Sequence, residues 1–157
     1  MIDYTQNPFY LRWASARIGD SFDPRLSSWV TQRTEAGDVE AVTVFTGWSD
    51  ANVFVSFASE KPVTRAYAHA VFDYAFNTLG VQRATLMSRA SNTKAIELHQ
   101  RLGAVHEATL QGFYGSEDAA CSRILKPECK WLTPPAGASS NEQSVQVPEA
   151  TRSASRT

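Results

Sequence analysis

Apolar and polar positions change period several times along the chain, and each change marks an element. Residues Pro8 to Ile18 (PFYLRWASARI) read as a short first helix, opened by Pro8 and stopped by Gly19-Asp20. Two strand-like runs follow, Leu26 to Thr34 and Val39 to Trp48, with a Gly37 turn between them. The second run, VEAVTVFTGW, is rich in β-branched and aromatic residues. Asn52 to Ala58 (NVFVSFA) is nearly continuous in apolar character, which predicts a central strand buried on both faces. From Val63 to Leu79 the period becomes helical: Val63, Ala66, Tyr67, Ala70, Val71 and Tyr74 share one stripe. Pro62 takes a first-turn position and Gly80 ends the helix. Gln82 to Ser88 reads as a strand. Asn92 to Leu102 reads as a helix capped by Ser91 or Asn92 and stopped by Gly103. Val105 to Leu110 and Ala119 to Leu125 complete the strands, with a loop through Gly112 and Gly115.

The predicted order is α-β-β-β-α-β-α-β-β. The unit over residues 52–88 is expected to be a right-handed parallel crossover, while short connections make the remaining neighbours antiparallel. This is an α/β fold on a mixed sheet.

After Thr133 the character changes to TPPAGASSNEQSVQVPEATRSASRT, small and polar with no aromatic residue. Such a segment buries too little apolar area to offset its ordering entropy. The expected organisation is a domain over 1–132 and a disordered tail over 133–157. The formal net charge of the 157 residues is -1, so nothing in the total suggests nucleic acid or an anionic membrane as partner. No apolar run approaches a membrane span and Met1 to Tyr10 lacks the pattern of a signal peptide. Cys121 and Cys129 are too few for a disulfide framework, so reduced thiols in a cytoplasm are expected. No metal-ligand cluster and no Walker-type loop is visible.

Three stretches carry a family resemblance: AHAVFDYAFNTLGVQRATL from Ala68 to Leu86, SNTKAIELHQRLGA from Ser91 to Ala104, and ECKWL from Glu128 to Leu132. The first two resemble the central and last helices of the GNAT superfamily, the acetyl-CoA-dependent N-acetyltransferases. The third, with RWASARIG near the start, resembles small members encoded by tailed bacteriophages. The resemblance covers essentially the whole domain. It implies a GNAT-like, mostly antiparallel sheet with a central splayed parallel strand pair, 52–58 and 82–88, flanked by helices. It also implies acetyl-CoA as co-substrate, held in the opening between those strands. Its pyrophosphate would sit on the following helix N-terminus, where free N–H groups favour an anion.

The chain departs from the family pattern in that loop. Gln/Arg-x-x-Gly-x-Gly/Ala aligns with Ser59-Glu60-Lys61-Pro62-Val63-Thr64, which has neither glycine. Glu60 adds a like charge, and Pro62 supplies no N–H. Lys61, Thr64 and Arg65 offer compensating donors and charge beside Val63. For Lys61 and Arg65, a solvated first-turn pair is the plain alternative. In the last helix Asn92, Ala95 and Gly103 stand at family positions, and His99 replaces the usual Tyr. The resemblance implies that Asn92 contacts the pantetheine and that His99 protonates the departing thiolate. The plain alternatives are an N-cap for Asn92 and a half-buried packing residue for His99. Backbone N–H groups near Phe57 and Ala58 are expected to hold the oxyanion. No residue stands out as the base: Glu40, on the neighbouring strand, is one candidate and a water relay is the alternative. His69 reads as a helix-surface residue, and Tyr67, Tyr74 and Cys121 as packing residues. His106 and Glu107 fall on a late strand that could border the substrate side.

Two functions follow. One is an acyltransferase acting on a small-molecule amine, a protein amine or a modified nucleobase. The other is a phage protein that docks on a host protein in the host cytoplasm, with cofactor binding vestigial. Either acts as a monomer or a homodimer.

Overall fold

A computed structural model describes residues 1–132. The tail expected over residues 133–157 lies outside the described residues. Among those described, the strands are β1 Ile2–Asp3, β2 Ser27–Arg33, β3 Val39–Thr46, β4 Asn52–Ser59, β5 Arg83–Arg89, β6 Val105–Leu110 and β7 Ala119–Leu125. The helices are α1 Pro8–Ile18, α2 Arg65–Asp73 and α3 Thr93–Arg101. One 7-stranded sheet runs β1-β2-β3-β4-β5-β7-β6. Its neighbours are antiparallel except β4 and β5, which are parallel.

Local chemistry sets the helix ends. Asn7 accepts the Phe9 N–H at 3.0 Å before Pro8, and Gly19 closes α1 at φ 82. α2 starts later than its apolar stripe suggests. The Thr64 hydroxyl accepts the Tyr67 N–H at 3.1 Å and makes Thr64 the cap, so Pro62 and Val63 precede the helix. The regular helix ends at Asp73, and a π-helical turn, Tyr74–Thr78, continues it toward Gly80. Of the two cap candidates for α3 it is Asn92 that accepts the Ala95 N–H, at 3.1 Å.

α2 packs on one sheet face, against Val30, Phe45, Val53, Val55 and Leu86. α1 packs on the other, against Trp29, Val42, Val44 and Ala58. β3, between both layers, is therefore the strand buried on both faces. β4 is not, contrary to its continuous apolar run. Short α1 reaches Ala58 and leaves Phe54 38% exposed. The buried face of α2 is also broader than its stripe. Ala66 is exposed, whereas Ala68, Phe72, Ala75 and Phe76 are buried. Cys129, Trp131 and Leu132 join that core. His69, expected on the surface, is half-buried there and donates from Nδ1 to the Trp131 carbonyl at 2.6 Å. Trp131 Nε1 in turn donates to Leu102 O at 2.8 Å, locking the end of α3. Cys121 and Cys129 are buried free thiols.

Candidate functional site

β4 and β5 begin side by side and then part. Their register runs from Asn52 opposite Arg83 to Val55 opposite Leu86 and stops there. Beyond that point β4 follows β3 as far as Ser59, and β5 follows β7 as far as Arg89. A cavity of about 400 Å³ occupies the gap. Ser56, Phe57 and Ala58 line it from β4, Met87 and Ser88 from β5, and Ala95, Leu98 and His99 from α3.

The backbone at the gap is built to hold something. Glu60 N–H donates to Glu40 O at 3.0 Å, directly across from it. In an antiparallel pair the inward and outward backbone groups alternate, so even-numbered residues of β4 bond to β3. Odd-numbered residues point their N–H groups at β5. Past Val55 those of Phe57 and Ser59 face the gap, while the amide of Ala58 is turned to β3. Of the two positions expected to supply oxyanion donors, only Phe57 therefore turns its N–H to the gap. Across the gap, Ser88 Oγ is buried with no hydrogen-bond partner among the described residues. An orphaned buried hydroxyl is costly, and at the edge of this cavity it is open to a water or a ligand as partner.

His99 is more buried than the half-buried packing position expected, only 4% exposed. Its ring lies 6.3 Å from the Phe57 ring. Burial pushes its pKa down to about 4, so near neutral pH it is an uncharged imidazole. In that form it offers one N–H donor and one acceptor to the cavity rather than a mobile imidazolium proton. Asn92 caps α3 and also lines the cavity.

The loop before α2 behaves differently from expectation. Lys61, Val63, Thr64 and Arg65 are not among the cavity-lining residues. Lys61 Nζ sits 3.7 Å from Glu40, Thr64 is spent as the helix cap, Val63 packs on the core, and Arg65 is exposed. Ser59 and Glu60 do line the cavity. The Glu60 carboxylate is ion-paired with Arg17, whose guanidinium stacks 3.6 Å from the Trp13 ring centre. Glu40 accepts from Gln32 at 3.0 Å and does not line the cavity. His106 and Glu107 lie on the exposed edge strand β6, where Glu107 pairs with Arg83 and Arg123.

Sequence reasoning missed Ser88, Asp20, Arg89, Lys94 and Tyr114, all at this cavity. Ser88 had a signal, since ligands gather at the C-terminal ends of parallel strands. The Gly-flanked loop that carries Tyr114 had none. A second cavity of about 570 Å³ adjoins the first and shares Asp20, Ser56, Met87 and Tyr114 with it.

No protein-family profile matches the sequence, and no curated protein does. Solved structures share the fold. A chimera of spermidine N-acetyltransferase SpeG from Vibrio cholerae and hSSAT superposes with a TM-score of 0.66 at 14% identity, over 85% of this chain and 98% of that one. A structure titled probable acetyltransferase gives 0.62 at 12% identity, over 81% and 93%. A ribosomal-protein-alanine acetyltransferase from Vibrio fischeri gives 0.56 at 13% identity, over 69% and 66%. The mixed sheet, parallel pair and flanking helices are those of the GNAT acetyltransferase fold. Among the described residues no helix is long and apolar enough to cross a membrane.

Proposed function

We propose that this chain is an acetyl-CoA-dependent N-acetyltransferase of a small amine. The observation that carries the reading is the parting of β4 and β5 after Val55 and Leu86, which opens a donor-lined cavity inside the sheet. The donor set fits a thioester with an amide-bearing arm: gap-facing N–H groups at Phe57 and Ser59, the orphaned Ser88 hydroxyl, and the free amide nitrogen of Asn92. Lys94, in the first turn of α3, supplies positive charge at the same cavity for a diphosphate. Acetyl-CoA supplies the activated acetyl group. The Phe57 N–H is placed to hold charge that develops on an acyl oxygen, a preorganised donor of the kind that stabilises acyl transfer. His99, kept neutral, orients the leaving sulfur or a water through its N–H. Arg17 neutralises Glu60, which limits the cost of a carboxylate where the family pattern has glycine-spaced amides.

Incubating the full chain with acetyl-CoA and a panel of amines, and following thiol release, tests the reading. Release that depends on both partners supports it; release no faster than without protein, for every amine, sinks it.

One observation favours the second reading, a scaffold that docks on a host protein: Glu60 lines the cavity, and the four loop residues expected at a phosphate are engaged elsewhere or turned outward. The phage affinity of the ECKWL ending belongs with it. Stoichiometric capture of one host protein without thiol release would decide for the scaffold.

A further inference from the structure

The geometry points to the second cavity as an acceptor pocket for a single ammonium carried on an aryl or bulky alkyl stem. It rests on the acetyltransferase reading only in naming that amine as the group acylated.

Most of its wall is apolar: Phe22, Leu26, Phe54, Phe113 and the Tyr114 ring. Three of these side chains are open to solvent, Leu26 at 74%, Phe113 at 54% and Phe54 at 38%. Large apolar groups clustered open around one cavity mark a binding surface rather than scattered exposure. The Phe54 wall is fixed by its neighbour. Gly47 has φ +57, and a Cβ there would fall 2.8 Å from Phe54 Cδ2, so the missing side chain lets the ring lie against the turn. Phe113 meets Tyr114 edge-on at 5.0 Å, which braces the opposite wall.

The charge of the pocket is equally specific. Asp20 lines both cavities, is half-buried, and has no hydrogen bond or ion pair from its carboxylate among the described residues. Two of the three cations at the first cavity, Arg17 and Arg89, are engaged elsewhere, and the third, Lys94, does not line the second cavity. Arg17 is held by Glu60, and Arg89 lies 4.4 Å over the Tyr114 ring and 3.9 Å from Glu117. The other carboxylate in the pocket, Asp23, is clasped by Arg25 at 2.8 Å and 3.1 Å. One uncommitted negative charge therefore stands where the two cavities meet. Burial, and behind it the Asp20 charge, pushes the Tyr114 hydroxyl up, and both residues line the pocket.

A carboxylate beside aromatic faces suits one cation. A second ammonium on the same ligand would meet Phe54 and Phe113 and no second free carboxylate, since Asp23 is held by Arg25. The pocket thus selects a monoamine with an apolar body over a polyamine. Held by Asp20, the nitrogen sits at the junction, beside Ser56 and Met87, facing the first cavity.

The test is calorimetric titration of 2-phenylethylamine into the full chain, with 2-phenylethanol and spermidine as comparators and acetyl-CoA titrated separately. Saturable binding of the amine is expected, about tenfold or more tighter than the alcohol. Asp20→Asn and Phe54→Ala should each weaken it to a similar degree. The alcohol comparator needs no variant, so a misfolded mutant cannot mask the result. Equal binding of amine and alcohol overturns the proposal, as does tighter binding of spermidine or an unchanged affinity in Asp20→Asn. The two readings fail separately. Amine selectivity without acetyl-CoA binding contradicts the transferase alone; acetyl-CoA binding without amine selectivity contradicts this pocket alone.

Discussion

Val55 and Leu86 are the last residues of β4 and β5 to lie opposite one another in register, and Ser88 lies two residues beyond Leu86 with its hydroxyl buried and unpartnered among the described residues. This relationship gives Ser88→Ala two opposite effects. Removing an unsatisfied hydroxyl leaves the stability of the free protein unchanged or raises it by about 1 kcal/mol. Acetyl-CoA affinity falls by about 5- to 10-fold, the worth of one hydrogen bond. Urea unfolding and calorimetry read the two separately; a loss of stability with unchanged affinity would show that the hydroxyl has a structural partner instead.

His99 links pH to folding. Its pKa is lowered from 6.5 to about 4 in the fold, so between those values the unfolded chain binds a proton that the folded chain excludes. Stability therefore rises with pH across that window, by on the order of 3 kcal/mol in all, and is fully present above pH 6.5. Urea unfolding at several pH values should show this slope, and His99→Gln should flatten it. A parallel slope in the variant would assign it to other groups. In the assay, His99→Ala should lower turnover by about 10-fold, the worth of one orienting hydrogen bond, while shifting acetyl-CoA affinity far less. Unchanged turnover would leave His99 as packing alone.

Glu60 and Arg17 form an ion pair beside the cavity, and both are partly open to solvent. A diphosphate bound there meets a like charge in Glu60. Glu60→Gln should tighten acetyl-CoA binding by about 2- to 5-fold at low salt, with the gain fading as salt rises. Arg17→Ala should weaken it. Weaker binding in Glu60→Gln would place the diphosphate away from this pair.

The Tyr67 hydroxyl donates to Val30 O at 2.9 Å and accepts from Thr43 Oγ1 at 2.8 Å inside the core. Tyr67→Phe strands both partners and should cost about 1–3 kcal/mol in unfolding. Adding Thr43→Val to it should recover part of that loss, because one orphan goes with it. A double variant whose loss equals the sum of the two single losses would show the pair is not coupled.

Most of the fold could be read from period and punctuation. The α2 stripe, the Gly80 stop and the strand after it led to a parallel crossover, and β4 and β5 form that pair. What escaped has local causes. β1 is two residues long, too short to carry a period, and is held by Asp3 on Arg33 at 2.7 Å and by the Arg33 N–H on Met1 O at 2.9 Å. Pro62 suits a helix start, but the hydroxyl of Thr64 captures the first-turn amide instead. An apolar run such as NVFVSFA cannot say how far a helix covers it, and α1 ends short of Phe54. At the cavity, Phe57, Ala58, Asn92 and His99 are lining residues because strand ends and helix faces place them there, which the sequence pattern carries. Lys61 stands 3.7 Å from Glu40, a partner distant in sequence that spacing does not reveal. Asp20 and Tyr114 sit in loops that only the fold brings together, so spacing carried no trace of them.

The most direct measurement is calorimetric titration of acetyl-CoA into the full chain. The expected result is saturable binding at one site per chain, weakened by Ser88→Ala. No binding heat up to millimolar acetyl-CoA would contradict the claim that the gap between β4 and β5 is an acyl-donor site.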